Sequence, residues 1–271
     1  MSLTLASPPI ISEAHRADLT RAVGQLEAVS LATRVASAVG APVEALRNRL
    51  PASVQGMVDG AVRRALQTAM QAALKSAPTA NPTFLPASWL HRGLAIASGA
   101  AGGALGLPGT LVELPVSTTL LLRQVAAVAA ENGEDLSDPL VGAECLKVFA
   151  LGGRDQRDDG AETGYFAVRI ALAEALKGAI SKGVAGMMLP GFLGAIAARF
   201  GGPVALKVSA QAAPIIGAAG GAAVNLAFLE HFRGVAEGHF TVRRLERLYG
   251  AEAVKTEYQA LAATKDARFI A

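Results

Sequence analysis

A single carboxylate, Glu113, lies inside an unusually apolar stretch of this sequence. The run GLPGTLVELPVSTTLLL covers residues 106–122, and the apolar stretch extends back to Gly93. Glu113 is the only ionisable side chain in those 30 residues, which Arg92 and Arg123 flank. Such a carboxylate can cap a helix N-terminus, face water from a turn, or form an internal ion pair with a shifted pKa. We predict that Glu113 is at least partly buried and close to a basic side chain.

The pair Pro108-Gly109 interrupts this run. We predict a turn there, which feeds a helix that starts near Pro115 and carries Glu113 at its positive end. The turn leaves two arms of about 14 residues, whereas a spanning helix needs roughly 20 apolar residues. The sequence therefore predicts a re-entrant hairpin or a buried helical pair, with both flanking arginines on one side, and not a simple transmembrane span.

The four histidines do not form a pattern typical of metal ligands. An HExxH motif is absent, and His231 and His239 are eight residues apart, which does not bring them onto one tight helix face. We therefore predict no metal site and no cofactor. The remaining chemical interpretation is a hydrolase that uses Glu113 with His231 or His239, provided that these side chains come within hydrogen-bond reach.

Cys145 is the only cysteine and lies in the segment AECLKVF. No histidine has a spacing that indicates a catalytic dyad with this thiol. We predict a buried, inert side chain. A single cysteine also fits a reducing compartment, because it cannot form an intramolecular disulfide.

A cluster of arginines occurs near the C-terminus, in VRRLERLYG at residues 242–250. Arg243, Arg244 and Arg247 either form a solvated helix face with Glu246 among them, or a basic strip that binds lipid phosphates or an acidic partner. Both interpretations stay open at the level of sequence.

The elements that must position these residues are helical. Apolar residues recur at helical spacing, and alternation of apolar and polar residues is nowhere sustained. Ser12 and Ser137-Asp138-Pro139 are start signals, and Gly40, Asn132-Gly133, Gly152-Gly153 and Gly250 are stop signals. The predicted helices cover residues 12–39, 42–50, 53–76, 115–130, 139–151, 165–182, 214–250 and 251–263.

A second apolar region covers residues 183–229, where Arg199 and Lys207 are the only charged residues. Pro190, Gly201-Gly202-Pro203 and Pro214 are predicted to divide it into pieces too short to cross a bilayer. Its glycines recur at spacings that let helices approach closely. We predict an all-α protein with a compact body of closely packed Gly/Ala-rich helices.

The proline-rich segment APTANPTFLP, residues 77–86, predicts a linker. It separates an N-terminal amphipathic helical arm, residues 1–80, from a helical body, residues 85–271.

Composition narrows the class of protein. Hydrophobic residues make up 52% of the chain and charged residues only 17%, with a mean hydropathy of +0.37. We therefore do not expect disorder. We expect either contact with a membrane or a very apolar interior. The formal net charge of +3 does not indicate nucleic-acid binding but suits the anionic inner face of a cell membrane. The first residues lack the pattern of a secretory signal, so we expect a cytoplasmic location.

Four blocks of the body resemble the EcsC family in their order along the chain. These are GLPGTLVELPVSTTLLLRQVAAVAAENGEDLSDP, CLKVFALGG, VSAQAAPIIGAAGGAAVNLAFLEHF and GHFTVRRLERLYG, which together cover roughly residues 85–258. The family is named after a protein encoded beside the ATPase and permease of a bacterial ABC transporter. The resemblance implies bacterial origin and a membrane-side role, but no reaction.

Some residues within these blocks are polar where apolar ones are expected, and they form the candidate polar site. They are Glu113, Arg123, Asn225, His231 and His239, with Arg243 as part of the basic strip.

Three functions are compatible with this sequence. The first is a non-enzymatic accessory protein that binds membrane or lipid on the cytoplasmic side, in connection with transport or secretion. The second is a protein-partner module for an ABC transporter or another membrane protein. The third is a hydrolase that uses Glu113 with His231 or His239.

Overall fold

The computed structural model describes residues 10–27, 31–40, 52–75, 87–153, 164–180, 190–211 and 217–270. Within these ranges the chain is helical and contains no strand, which confirms the all-α prediction. The nine described helices are α1 Glu13–Leu26, α2 Leu31–Val39, α3 Ala52–Lys75, α4 Ala87–Glu131, α5 Pro139–Leu151, α6 Tyr165–Ile180, α7 Pro190–Gln211, α8 Gly217–Tyr249 and α9 Ala251–Ile270.

Two helices begin at the predicted capping residues. The Ser12 hydroxyl accepts a hydrogen bond from the backbone N–H of His15 at 3.4 Å, at the start of α1. The Asp138 carboxylate accepts one from the N–H of Leu140 at 2.8 Å, and Pro139 occupies the first turn of α5. Both side chains satisfy N–H groups that have no partner within the helix, which fixes where each helix starts.

Glycines follow three of the helices, as predicted. Gly40, Gly133 and Gly250 have φ angles of +65°, +78° and +84°. A side chain is strained in this left-handed region, whereas glycine adopts it readily. The chain can therefore reverse direction after α2, α4 and α8.

The prediction of a turn at Pro108-Gly109 is wrong. Helix α4 continues through this pair for 45 residues, about 67 Å at 1.5 Å per residue. Pro115, the predicted helix start, lies in its interior, and Glu113 is therefore not at a helix N-terminus. Each proline inside a helix removes one hydrogen bond, and its ring crowds the carbonyl group four residues earlier, at a cost of roughly 3 kcal/mol. The extensive packing of α4 along α8 outweighs that local loss.

Packing also overrides two other predicted boundaries. Gly201-Gly202-Pro203 lies inside α7 instead of ending it. The predicted helix over residues 12–39 is two helices, since α1 ends at Leu26 and α2 begins at Leu31. The predicted helix over residues 42–50, the linker and a helix start at Pro214 lie outside the described residues.

Helix α8 is the central element of the fold. It packs against α4 over most of its length and also contacts α1, α2, α5, α7 and α9. Phe232 of α8 lies at the middle of an aromatic cluster, with ring centroids 5.7 Å from Phe149 and 5.5 Å from Phe200. These rings join α5, α7 and α8 in one apolar core.

The N-terminal helices belong to the same core. A Cβ atom on Gly238 of α8 would lie 2.8 Å from Leu26 Cγ and 3.1 Å from the Ala22 carbonyl oxygen, so α1 crosses α8 at very short range. Helix α3 packs against α4 and α7. The division of the chain into an arm and a body at residues 80–85 stays a prediction.

Two consecutive glycines end α5 where it meets α7 and α8. A Cβ atom on Gly152 would lie 2.4 Å from the Phe232 ring, and one on Gly153 would lie 2.3 Å from the Arg199 carbonyl oxygen. Neither distance is compatible with an unshifted structure, because atoms cannot overlap to that extent. The two glycines therefore allow the helices to approach this closely.

We predict that Gly153→Ala lowers the free energy of unfolding by roughly 2–3 kcal/mol, because the new methyl group meets backbone that cannot rotate away. Gly142→Ala, within α5, is the matched control, since no atom lies within 4 Å of its added Cβ. The free energy of unfolding of that control is expected to rise by about 0.5–1 kcal/mol, because alanine has a higher helix propensity than glycine. Urea-induced unfolding measures both, and equal stability of the two variants would contradict the packing argument.

Candidate functional site

Glu113 is buried in the interior of the fold and forms an ion pair with Lys207. The Lys207 ammonium lies 2.7 Å from Glu113 Oε2, and the side chains are 1% and 7% exposed respectively. The pair joins the two apolar regions of the sequence, because Glu113 lies on α4 and Lys207 on α7. The prediction that Glu113 is buried beside a basic side chain is confirmed, with Lys207 and not a flanking arginine as the partner.

Two neutral polar side chains complete this buried cluster. Asn225 of α8 donates a hydrogen bond from Nδ2 to Glu113 Oε1 at 2.8 Å. Ser117, one turn after Glu113, accepts a hydrogen bond from Lys207 at 3.0 Å and donates one to the Leu114 carbonyl oxygen. Three helices therefore contribute to one hydrogen-bonded group, and both carboxylate oxygens have donors.

The charges in this cluster are constrained by burial. Removal from water lowers the pKa of Lys207, while the charge and the hydrogen bond of Glu113 oppose that change. The ammonium also lies 5.7 Å from the centroid of the Phe228 ring, whose face attracts a cation. The pair stabilises the arrangement only as a pair, because either charge alone would be buried without compensation.

A cleft of about 250 Å³ adjoins the cluster and opens toward solvent. Its interior has room for the centre of only about one water molecule. The lining combines the polar groups of the cluster with apolar side chains, and consists of Ser117, Leu120, Leu121, Lys207, Asn225, Phe228 and Leu229. The dimensions suit a bound water better than an organic substrate.

A second polar group surrounds His239, which is fully buried. Its Nε2 lies 3.2 Å from Glu144 Oε2, and its Nδ1 lies 2.9 Å from the Tyr165 hydroxyl. Burial lowers the pKa of His239, so the neutral ring donates to Glu144 and accepts from Tyr165. Burial also raises the pKa of the Tyr165 phenol, which is 1% exposed and stacked on Tyr258.

A carboxylate, an imidazole and a hydroxyl in this order can activate a nucleophile. Here the hydroxyl is enclosed, and none of Glu144, Tyr165 and His239 lines the cleft beside Lys207. What the group does in this structure is to connect α5, α6 and α8.

The predicted basic strip is occupied by ion pairs within the protein. Arg243 contacts Glu134 through two hydrogen bonds of 2.8 and 3.1 Å and lies 3.4 Å from Glu144. Arg247 lies 2.5 Å from Glu134. These contacts connect α8 to the turn after α4. Burial alone would raise the pKa of Glu144, but the His239 hydrogen bond and the charges of Lys147 and Arg243 outweigh burial, so this pKa is lowered and the carboxylate stays ionised.

Arg244, the third member of the strip, points to a different helix. It lies 2.7 Å from the Asp18 carboxylate of α1. All three guanidinium groups therefore have carboxylate partners within the protein, and Arg247 is in addition exposed to solvent.

His231 is separate from both polar groups. Its Nε2 lies 2.8 Å from the Gly152 carbonyl oxygen at the end of α5. Burial lowers the pKa of His231 to about 4, with a smaller contribution from the positive charge of Arg34, although the Gly152 hydrogen bond opposes the change. The neutral ring thus donates a hydrogen bond to a helix-end carbonyl group that lacks a partner within α5.

The candidate polar site therefore divides into separate places. Glu113 and Asn225 are in direct contact, His231 and His239 have other partners, and Arg123 is exposed. Sequence reasoning missed the partners that complete each group, namely Lys207, Ser117, Glu134, Glu144 and Tyr165. A signal for Lys207 existed, because it is one of two charges in a stretch of 47 residues.

Metal binding finds no support in the described residues. Within them, no three His, Cys, Asp or Glu side chains are close enough together to hold an ion. Cys145 is buried, and burial with the nearby carboxylates of Glu134 and Glu144 raises its pKa to about 12. The prediction of a buried thiol is confirmed.

The region that contains these groups is the region that matches a known family. The model of the EcsC protein family matches residues 86–245, which is more than half of the chain. The chain belongs to the EcsC family. The match runs from the start of α4 into α8, so it includes the Glu113 cluster and the polar group of His239.

No curated protein and no solved structure gives a significant match to this EcsC-family chain.

We predict that Glu113→Gln and Lys207→Met each lower the free energy of unfolding by about 3 kcal/mol or more, because each leaves one buried charge without its partner. The double variant is expected to lose less free energy of unfolding than the sum of the two single losses, since it leaves neither charge behind. Denaturant unfolding of all four proteins measures the coupling. Strictly additive losses would show that the pair is not a coupled unit.

We predict that His231 makes the stability of the fold depend on pH between about 6.5 and 4. Its pKa is about 4 in the fold, against roughly 6.5 in an unfolded chain. Proton binding in this window favours the unfolded chain, so the stabilisation is complete above pH 6.5 and is lost as the pH falls toward 4.

His231→Gln keeps a donor for Gly152 but does not titrate. Between pH 7 and pH 4, the free energy of unfolding of the natural protein is expected to fall by roughly 3 kcal/mol more than that of this variant. Unfolding curves across this range test the prediction, and parallel pH profiles would refute it. His239 titrates in both proteins and cancels from the comparison.

Proposed function

We propose that this EcsC-family protein is a non-enzymatic accessory protein that associates with a membrane or with lipid on the cytoplasmic side, in connection with transport or secretion. The observation that carries the proposal is apolar exposure on α4. Val112 is 78% exposed and Val116 is 54% exposed, one helical turn apart. Neighbouring apolar side chains on one face of a long helix favour contact with an apolar phase.

Length and composition support the same proposal. In the described part of the chain, two helical segments are long and apolar enough to cross a membrane, Val112–Glu131 and Gly191–Ala210. Core helices of soluble proteins meet the same criteria, and 56% of each segment is buried inside this fold. We therefore propose peripheral contact through the exposed face of α4 and not a span.

The buried ion pair makes such contact less costly. Glu113 is the carboxylate within the apolar stretch of α4, and Lys207 neutralises it inside the protein. An unpaired charge next to a bilayer would oppose contact with its apolar region. With the pair enclosed between helices, the outer face of α4 around Val112 and Val116 carries no carboxylate.

The hydrolase interpretation receives little support from the geometry. It requires Glu113 to be within hydrogen-bond reach of His231 or His239. His231 contacts the Gly152 carbonyl group, and His239 contacts Glu144 and Tyr165. Glu113 is bound by Lys207 and Asn225 on other helices.

A protein-partner module for a transporter is the alternative. Helix α7 favours it, because Gly191, Ala198 and Gly202 are exposed at spacings of seven and four residues. Small residues on one face allow another helix to approach closely. Vesicles that contain no protein separate the two functions, since only lipid binding gives association with them.

We predict that the purified protein floats with liposomes in a density gradient. Val112→Ser/Val116→Ser is expected to weaken partitioning about 10-fold or more, because each exposed valine that enters the apolar phase contributes on the order of 1 kcal/mol. Ile170→Ser/Leu248→Ser is the matched control, since both side chains are 58% exposed on other helices.

If the protein stays entirely in the soluble fraction, this result contradicts the proposal of lipid association. Association with native membranes but not with protein-free liposomes would support the partner module instead. Equal losses in the two double variants would show that α4 has no special role.

A further inference from the structure

The arginines whose side chains the structure describes fall into two groups, according to whether they have an ion-pair partner among the described residues. Those of α1 and α8 are paired, including all three of the predicted strip. A second group is exposed and forms no ion pair with any described carboxylate. Its members are Arg34 on α2, Arg63 and Arg64 on α3, Arg123 on α4 and Arg199 on α7.

The charge balance of the helices follows the same division. Helices α2, α3, α4 and α7 together contain eight basic and three acidic residues, a net charge of +5. The other five helices contain twelve basic and ten acidic residues, a net charge of +2. One of the three acidic residues in the first set, Glu113, is already neutralised by Lys207. Positive charge that is free to act on a partner is therefore concentrated on these four helices.

The four helices are neighbours in the fold. Helix α3 packs against both α4 and α7, α4 packs against α7, and α2 packs against α7. The unpaired arginines therefore lie on four helices that are in contact with one another, and the exposed faces of these helices are defined here as the α2/α3/α4/α7 surface. This group of unpaired arginines does not include Arg243, Arg244 or Arg247, which form the basic strip predicted from the sequence.

The α2/α3/α4/α7 surface also carries exposed apolar side chains beside its arginines. On α4, Val112, Val116 and Arg123 are separated by four and seven residues, which places them on one helix face. On α3, Met57 is 55% exposed and precedes Arg64 by seven residues, again on one face. A basic residue next to exposed apolar residues is typical of helices that lie in a membrane interface.

We infer that the α2/α3/α4/α7 surface docks on an anionic lipid bilayer, with the unpaired arginines bound to head-group phosphates and the valines of α4 in contact with the acyl region. This inference rests on the proposed function and names its surface and its lipid class. Arginine suits the role because its planar guanidinium group binds phosphate through two hydrogen bonds. Its long apolar stem can lie along the surface while the charged end reaches the head groups.

The predicted strip is unsuited to this role. Arg243, Arg244 and Arg247 would have to leave Glu134 and Asp18 before they could bind phosphate. The unpaired arginines can bind phosphate without leaving any described carboxylate.

The test compares two triple variants that change the net charge equally. Arg63→Gln/Arg64→Gln/Arg123→Gln removes three unpaired charges. Arg16→Gln/Arg21→Gln/Arg233→Gln removes three paired ones, of which Arg16 and Arg21 are exposed and Arg233 is half-buried. Binding is measured by sedimentation with liposomes of phosphatidylcholine alone and with phosphatidylglycerol added. Thermal unfolding verifies that each variant is folded.

The natural protein is expected to prefer the anionic liposomes and to lose binding as salt is added. The first variant is expected to bind them on the order of 100-fold more weakly, at about fivefold per arginine. The second variant is expected to stay within about threefold of the natural protein. Arg63→Lys/Arg64→Lys/Arg123→Lys, which keeps the charge, is expected to retain most of the binding.

Two different failures can be told apart. If the natural protein binds neither type of liposome, the proposed function fails and this inference fails with it. If it binds liposomes but the two glutamine variants behave alike, or lipid charge has no effect, the inference is overturned while the proposed function stands.

Discussion

Burying Glu113 and Lys207 among apolar helices carries a large desolvation cost for each charge, and only their direct contact and the surrounding donors offset it. This requirement connects the main elements of the fold. Glu113 fixes one position of α4, Lys207 one position of α7, and Asn225 one position of α8. A rotation or a shift of any of these helices would leave a charge or an amide without its partner. Apolar packing tolerates such shifts, because Ala- and Gly-rich surfaces are similar along their length, whereas the ion pair specifies one register.

Close approach of the helices is the second requirement, and small residues provide it. Gly152, Gly153 and Gly238 lie where α5 and α1 meet the central helices, at distances that leave no space for a methyl group. The aromatic cluster around Phe232 fills the volume between these contacts. These three glycines therefore have a structural reason that does not involve a membrane. Exposure of Val112 and Val116 has no such reason, which is why the proposed function rests on these two residues.

The charged side chains differ in whether they have partners within the protein. Carboxylates at Asp18, Glu134 and Glu144 hold the arginines of α8 against α1, α4 and α5, while His239 and Tyr165 extend that group to α6. These ions act within the fold. Helices α2, α3, α4 and α7 have few carboxylates, and five of their arginines are exposed to solvent, namely Arg34, Arg63, Arg64, Arg123 and Arg199. A chain with a small net charge thus has four described helices that are strongly basic and five on which charges largely compensate one another.

The sequence by itself determined the helical class, most helix ends and the burial of Glu113 and Cys145. These depend on local signals, namely periodicity, caps such as Ser12 and Asp138, and the cost of exposing apolar residues. It also carried the EcsC resemblance, which the family match over residues 86–245 confirms. Only the tertiary structure decided that α4 continues through Pro108-Gly109, since packing along α8 outweighs the lost hydrogen bond and the crowding at the proline. It also decided which partner each charge has. Lys207 is 94 residues from Glu113, and Asp18 is 226 residues from Arg244. Pairing over such separations depends on how helices pack, and helical periodicity carries no information about that.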